Sequence, residues 1–268
     1  MMRFCSLGSG STGNATLVEA HSGITTTRLL IDCGFSQREL GQRLARMGLA
    51  IEQIDAVFVT HEHGDHVGCA LALARRHRRP VWMSRGTWRA IADESPGGDT
   101  DADALAGRLN FARDGLPITI GDLELMPYTV PHDAREPLQL GISDGSARLG
   151  VLTDAGCMTG HIVERLRGSR ALLLECNHDP ALLAASAYPA SLKARIGGRL
   201  GHLSNGVAAE ILAATVHAGL RRVVAAHLSE RNNSPALACA ALARATGADP
   251  SDFTVADPLR GTDWVDLR

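Results

Sequence analysis

The residues best suited to chemistry lie in segment 61–66, which reads His-Glu-His-Gly-Asp-His. Imidazole and carboxylate groups are the ligands that zinc, manganese and iron take in proteins. The apolar run 56–59 precedes the segment, so a buried strand is predicted to end in a metal-binding loop. The segment offers four donors, and further ligands are expected from distant parts of the chain. Together they exceed what one tetrahedral ion needs, which indicates two metal ions.

Length and composition allow a large packed core. The chain has 268 residues, of which 45% are hydrophobic and 21% charged, so one large domain or two small ones are expected. The net charge of -2 does not indicate a nucleic-acid-binding protein and does not exclude one. No signal peptide or membrane span is evident in the sequence, so we expect a cytoplasmic location.

The six cysteines are scattered and form no C-x-x-C pair. This pattern favours buried, reduced thiols. Cys69 and Cys176 lie near ligand candidates, and a soft metal ligand there is the alternative interpretation.

Predicted strands with interspersed helices in both halves of the chain indicate two sheets covered by outer helices. One helix is predicted over about residues 67–77, and the Gly-, Asp-, Pro- and Ser-rich segment 93–103 is predicted to be a mobile loop. Polar candidates follow the strands directly. They are His61, His132, Asp154, His178 and His227. Because strand ends at one edge of a sheet converge, we expect these residues to meet in space.

The motifs, taken in order, resemble those of the metallo-β-lactamase fold superfamily. After segment 61–66 come Pro131-His132-Asp133, then Leu152-Thr153-Asp154-Ala155-Gly156, then His227 behind a buried strand. The finer resemblance is to the YycJ/WalJ-type branch, and it rests on segments 6–14, 175–179, 201–205 and 227–233. The resemblance implies an α/β protein with a four-layer αββα sandwich of two β-sheets flanked by helices. It also implies a single hydrolase domain over residues 1–268 and a two-metal site at one edge.

Carried over residue by residue, the resemblance implies two sets of ligands joined by one carboxylate. The first ion would be held by His61, His63 and His132, the second by Asp65, His66 and His227, and Asp154 would bridge them. Zinc is the expected ion, with manganese or iron as alternatives. A hydroxide shared by two such ions would be a strong nucleophile, because a bound metal lowers the pKa of water toward about 7.

Further polar residues are candidates for supporting roles. Asp32, Asp133 and Asp179 could accept hydrogen bonds from metal-bound histidines, or could cap turns and helices instead. His178 and His202 exceed the expected ligand count and lie in polar loops. We take them, together with Asp65, as candidate catalytic residues that contact a substrate phosphate or protonate a leaving group.

The function predicted first is a metal-dependent phosphodiesterase or nuclease acting on DNA or RNA, because nuclease activity is what the branch resemblance implies. The alternative is a small-molecule hydrolase that cleaves a lactone, thioester or β-lactam. A non-hydrolytic redox role is less favoured because the chain lacks an attached flavin-type domain. The glycine-rich segment 8–14 lacks the Lys-Ser/Thr ending of a P-loop, so it is predicted to be a strand connection flanking the metal site. Nucleic acid is the expected partner, no membrane association is expected, and no protein partner is predicted.

Overall fold

Two mixed β-sheets form the centre of the protein. The computed structural model describes residues 1–94 and 105–268. In that part of the chain the first sheet has seven strands in the order β14-β1-β2-β3-β4-β5-β6. Its strands are β1 Met2–Gly8, β2 Ala15–His21, β3 Thr26–Ile31, β4 Ala56–Phe58, β5 Val81–Met83, β6 Leu109–Phe111 and β14 Val265–Asp266. Strands β3 to β6 are parallel, so their carboxyl ends share one edge.

The second sheet runs in the order β13-β12-β11-β10-β9-β8-β7. Its strands are β7 Ile118–Ile120, β8 Leu123–Thr129, β9 Leu138–Ser143, β10 Arg148–Leu152, β11 Ala171–Glu175, β12 Arg222–Ala226 and β13 Thr254–Val255. Strands β10 to β13 are parallel, and their apolar residues are almost all buried, as expected for strands covered on both faces.

Helices cover the outer face of each sheet. On the first sheet lie α1 Gln37–Arg46, α2 Gly64–Val67, α3 Ala70–His77 and α4 Arg85–Glu94. The second half of the chain supplies α5 Gly160–Leu166, α6 Pro180–Ala185, α7 Ala190–Ile196, α8 Asn205–Thr215 and α9 Pro235–Thr246. Ser and Thr side chains start several of them: Ser36, Thr159, Ser204 and Ser234 each accept a hydrogen bond from the backbone N–H three residues on.

The main core lies between the sheets. Phe4 and Phe58 of the first sheet pack in one buried cluster with Leu140, Val151 and Leu173 of the second. Full burial of such a side chain contributes roughly 1.5–3 kcal/mol. A second cluster joins the first sheet to its outer helices, and a third joins the second sheet to its own. The predicted αββα sandwich is therefore confirmed.

Two local predictions need comment. The single helix expected over residues 67–77 is interrupted at Gly68, because its φ of 36° is not helical. The position requires glycine, since a Cβ there would lie 2.2 Å from the carbonyl oxygen of Cys33. Of the loop predicted over 93–103, residues 93 and 94 end α4, and 95–103 lie outside the described residues. No helix within residues 1–94 and 105–268 is both long and apolar enough to cross a membrane.

Candidate metal centre

The candidate ligands gather where the parallel strands of both sheets end. The loop after β4 carries His61 and His63, and α2 carries Asp65 and His66. The other three follow strands of the second sheet. They are His132 after β8, Asp154 after β10 and His227 after β12. The structure thus brings together all seven residues that the resemblance implied as ligands.

The first donor group consists of three imidazoles. Nδ1 of His63 lies 3.1 Å from Nε2 of His61 and 3.3 Å from Nε2 of His132. His61 and His132 are buried, whereas the side chain of His63 is 29% exposed. Three imidazole nitrogens this close together form a site that suits a divalent cation.

The second donor group combines imidazole and carboxylate. Nε2 of His66 lies 3.5 Å from Asp65 Oδ2 and 3.1 Å from Asp154 Oδ2, and Nε2 of His227 lies 3.6 Å from Asp65 Oδ2. Asp154 also belongs to a donor group with His61 and His66. It therefore lies between the two groups, where the resemblance placed the bridge.

The second nitrogen of three buried ligand candidates is held by a protein acceptor. Nδ1 of His66 lies 2.8 Å from Asp32 Oδ2, and Nδ1 of His132 lies 3.0 Å from the carbonyl oxygen of Gly201. Nδ1 of His61 lies 3.0 Å from Thr60 Oγ1, whose hydroxyl donates to Asp32. Such contacts fix the tautomer that leaves Nε2 free for a metal ion.

The three aspartates predicted to support the ligands differ in outcome. Asp32 does so directly through His66, as described above. Asp133 Oδ1 lies 3.4 Å from Nε2 of His132, the nitrogen that belongs to the first donor group, so it does not support the opposite nitrogen of that ring. Asp133 also accepts a hydrogen bond from Arg195. Asp179 caps α6 by accepting from the backbone of Ala181, so the capping interpretation is correct for that residue.

Two donor atoms at the centre of the site lack a well-formed hydrogen bond within the described residues. Asp154 Oδ2 and His227 Nε2 are buried and make none in residues 1–94 and 105–268, although Nε2 of His66 lies 3.1 Å from the first atom and Asp65 Oδ2 lies 3.6 Å from the second. A buried polar atom without a partner is costly, and a bound cation would satisfy both atoms. The residues present therefore fit divalent metal ions.

Burial and mutual attraction shift the pKa values across the site. Burial, reinforced by neighbouring imidazoles, holds the pKa of His61 well below its usual value. Burial also lowers the pKa of His66, but the Asp154 and Asp32 carboxylates outweigh it, so the pKa of His66 is raised well above the usual value. Burial opposes ionisation of Asp154, yet His227 and His66 hold its pKa well below the ordinary range. Asp154 is therefore ionised at neutral pH, as a metal ligand must be.

Strained backbone is concentrated here. Asp32, Asp154 and His227 have φ of 59°, 52° and 54°, the left-handed region that side-chain-bearing residues rarely adopt. Such conformations persist where the surrounding structure imposes them, commonly at functional sites.

The glycine-rich segment 8–14 flanks the site, as predicted. Asn14 Nδ2 donates to Asp65 Oδ2 over 3.2 Å, and Ser9 Oγ accepts from the backbone N–H of His227 over 2.8 Å. Strand β2, not a helix, follows the segment. This connection therefore braces the second donor group from outside.

Glu175 is the site residue that the sequence interpretation missed. It is fully buried at the end of β11, and its Oε1 lies 2.8 Å from Nδ1 of His202 and 3.4 Å from Nδ1 of His227. A carboxylate closing the apolar run 171–174 was the available signal. His202 also lies 3.3 Å from Asp154 Oδ1, so this candidate catalytic residue is at the site.

His178 and the cysteines lie apart from the ligand groups. His178 is buried, and burial lowers its pKa; it appears in none of the donor groups found among the described residues. Within that same part of the chain no donor group contains a cysteine. Cys69 Sγ instead lies 3.3 Å from Cys33 Sγ, and Cys176 is buried in the core beneath the second sheet.

The chain is similar to known proteins along most of its length. The family profile described as a beta-lactamase superfamily domain matches residues 27–228. Exodeoxyribonuclease YycJ of Bacillus anthracis is 32% identical over 237 residues, which cover 88% of this chain and 86% of the relative. Exodeoxyribonuclease WalJ of Streptococcus pneumoniae serotype 2 is 30% identical over 236 residues, covering 88% and 85%.

A solved structure supports the fold assignment. The metallo-beta-lactamase fold protein YhfI from Bacillus subtilis superimposes with a TM-score of 0.68 at 16% identity, covering 96% of this chain and 97% of that one. At that identity the likeness concerns the fold alone. The family profile and the two sequence relatives carry the assignment further. The chain belongs to the beta-lactamase superfamily, in the branch that includes YycJ and WalJ.

Proposed function

We propose that this chain is a metal-dependent nuclease that hydrolyses phosphodiester bonds in DNA or RNA. The observation that carries the proposal is the pair of adjoining donor groups with Asp154 between them. The names of the relatives YycJ and WalJ, both exodeoxyribonucleases, support nucleic acid as the substrate.

Two divalent ions are proposed, with zinc first and manganese or iron as alternatives. His61, His63 and His132 would hold one ion, Asp65, His66 and His227 the other, with Asp154 contacting both. Divalent ions at this place supply Lewis acidity, which activates water at neutral pH and stabilises developing negative charge. An open cavity of about 360 Å³ beside these residues gives a phosphodiester access to them.

His202 is proposed to donate a proton to the leaving oxygen. Burial would lower its pKa, but hydrogen bonds to Asp154 and Glu175 raise the pKa of His202 to about 10, so the ring carries a proton at neutral pH. Its side chain is 24% exposed and lines the cavity of the metal centre. A positioned, charged imidazole at the cavity wall is what proton donation requires.

The alternative of a lactone, thioester or β-lactam hydrolase is not favoured, because both sequence relatives are named as nucleases. A substrate role for His178, a single domain over residues 1–268 and a cytoplasmic location stay predictions.

The decisive experiment combines metal analysis with a substrate panel. Chelated protein is reloaded with zinc, manganese or iron, and bound metal is counted by mass spectrometry. Each form is assayed on end-labelled DNA, end-labelled RNA, a lactone and a β-lactam. We expect two ions per chain and cleavage of at least one nucleic acid. Hydrolysis confined to the lactone or the β-lactam would overturn the proposal.

A further inference from the structure

A second cavity adjoins the metal centre, and none of the seven proposed ligands lines it. Its volume is about 590 Å³, within the range of small-molecule pockets, and it lies among α6, α7 and the start of α8. Apolar side chains form most of its walls. They are Leu183 and Ala184 from α6, Ala194 from α7 and Val207 from α8.

Helix α7 separates this cavity from the one over the metal centre. Leu192, Arg195 and Ile196 face the metal-centre cavity, whereas Lys193 and Ala194 line the second one. His202 lines both cavities, so they meet at its side chain. A ligand bound at the metal centre could therefore extend past His202 into the apolar cavity, which we call the chamber.

Polar side chains also line the chamber. His178 lines it and is only 4% exposed, yet its Nδ1 has no hydrogen-bond partner among the described residues. Ser204 lines the chamber as well. A nucleobase offers flat apolar faces together with donors and acceptors at its edge, so it matches both the walls and this unpartnered nitrogen.

We propose that the cavity among α6, α7 and α8 binds the nucleoside that carries the departing oxygen of the scissile phosphodiester. The inference rests on the proposed nuclease function and adds a base-binding subsite to it. Position decides which nucleoside enters: His202 stands at the junction of the two cavities and is the proposed proton donor to that oxygen. His178 is then a specificity residue that bonds the edge of the base.

The first test fills the chamber without disturbing the metal centre. Ala194 and Ala190 are both exposed on α7, but only Ala194 lines the cavity, so Ala190→Phe is the matched control for Ala194→Phe. We expect Ala194→Phe to lower kcat/KM on an oligonucleotide roughly tenfold or more, equivalent to about 1.4 kcal/mol, mainly through KM. Ala190→Phe should retain the wild-type value, and both variants should retain the wild-type metal content.

The second test changes the substrate instead of the protein, by removing the base that the chamber is proposed to bind. An oligonucleotide that is abasic at the nucleotide carrying the departing oxygen should be a poorer substrate for the wild type. It should show no further loss with Ala194→Phe, because the variant and the missing base remove the same contact. Independent, multiplicative losses would overturn the proposal.

A binding readout uses Lys193, the only lysine in the chain, which lines the chamber. The metal-loaded protein is acetylated with an N-hydroxysuccinimide ester, and modification of Lys193 is measured by mass spectrometry against the N-terminal amine. Deoxyadenosine monophosphate should protect Lys193, whereas inorganic phosphate, which lacks a base, should not.

The outcomes separate this proposal from the nuclease assignment. If the wild type cleaves nucleic acid but Ala194→Phe equals Ala190→Phe and the nucleotide gives no protection, the subsite is wrong and the function stands. If the nucleotide protects Lys193 while no nucleic acid is cleaved, the chamber binds nucleotides and the nuclease proposal fails.

Discussion

Glu175 Oε1 lies 2.8 Å from Nδ1 of His202, and both oxygens of this fully buried carboxylate are used. Its Oε2 accepts the backbone N–H of Ala155, one residue beyond Asp154, over 2.9 Å. Burial opposes ionisation of Glu175, but hydrogen bonds from His202 and His227 lower its pKa. One carboxylate therefore orients the proposed proton donor, a proposed metal ligand and the turn that carries the proposed bridge.

Glu175→Gln should slow turnover while preserving metal content. The amide retains a hydrogen-bond acceptor but loses the charge that keeps His202 protonated, and loss of such a partner typically costs about 10–100-fold. Steady-state kinetics and metal analysis on the same preparation check this. If Glu175 acts mainly through His202, the two losses should not multiply, and the double variant with His202→Ala should be only slightly slower than His202→Ala alone.

His202→Ala should leave metal stoichiometry unchanged and reduce turnover roughly 10²–10⁴-fold, the scale of a positioned acid or base. The loss should be much smaller for a phosphodiester whose leaving group is nitrophenolate, because that group departs without a proton. Equal losses on both substrates would favour a binding role. Loss of an ion would make His202 a ligand and reopen the assignment of His227.

The proposed metal ligands could be named from the sequence because they lie in or just beyond the loops that follow apolar strands, and because their motifs resemble those of a known superfamily. The role of Glu175 could not, since it depends on sheet register. β10, β11 and β12 are parallel, with Leu152 opposite Leu174 and Glu175 opposite Ala226. Only this alignment places Glu175 beside residues that follow Leu152 and Ala226.

Helix α7 and the chamber beside it could not be predicted from the sequence either. α7 is only seven residues long, contains no buried residue and has no side-chain cap at Pro189, so the sequence carries no capping signal for its start. Its position depends on contacts such as the hydrogen bond from Lys193 Nζ to the carbonyl oxygen of Ala184, over 2.6 Å. The αββα layers, by contrast, follow from apolar runs that can be recognised locally.

Gly34→Ala should destabilise the protein by about 1–3 kcal/mol or more, because overpacking a site where two backbone segments touch forces neighbours to move. A Cβ at Gly34 would lie 1.8 Å from the carbonyl oxygen of Asp65. Gly160→Ala is the matched control, since nothing lies within 4 Å of its Cβ. Urea unfolding of both variants measures the difference, and equal stability would contradict the close approach behind Asp65.

Asp154→Asn should release at least one ion and reduce turnover by about 100-fold or more, exceeding the loss expected for an outer partner. Asparagine is preferred to alanine as the substitution because it tolerates the φ of 52° at this position, so the fold should survive. Metal content, turnover and circular dichroism are measured together. A variant with full metal content and wild-type rate would show that Asp154 does not bridge.

Metal binding should release protons. Burial would lower the pKa of His227, but the neighbouring carboxylates of Asp154, Asp65 and Glu175 raise it to about 9, so the ring in the chelated protein is protonated at neutral pH. A histidine ligand must be neutral, so the ion displaces this proton, and apparent metal affinity should rise with pH up to about 9. Titration of chelated protein with zinc, by calorimetry in buffers of different ionisation enthalpy, counts the protons released.

The same shift makes the chelated protein sensitive to alkali. The pKa of His227 is raised on folding, so its stabilising contribution is complete below the unfolded value of about 6.5 and is lost as pH rises through about 9. Chelated protein should therefore become less stable between those values, whereas the zinc-loaded form should not lose this contribution. Thermal unfolding of both forms across that range tests the sign. A chelated protein that gains stability over the same interval would mean that His227 is neutral in the folded chain.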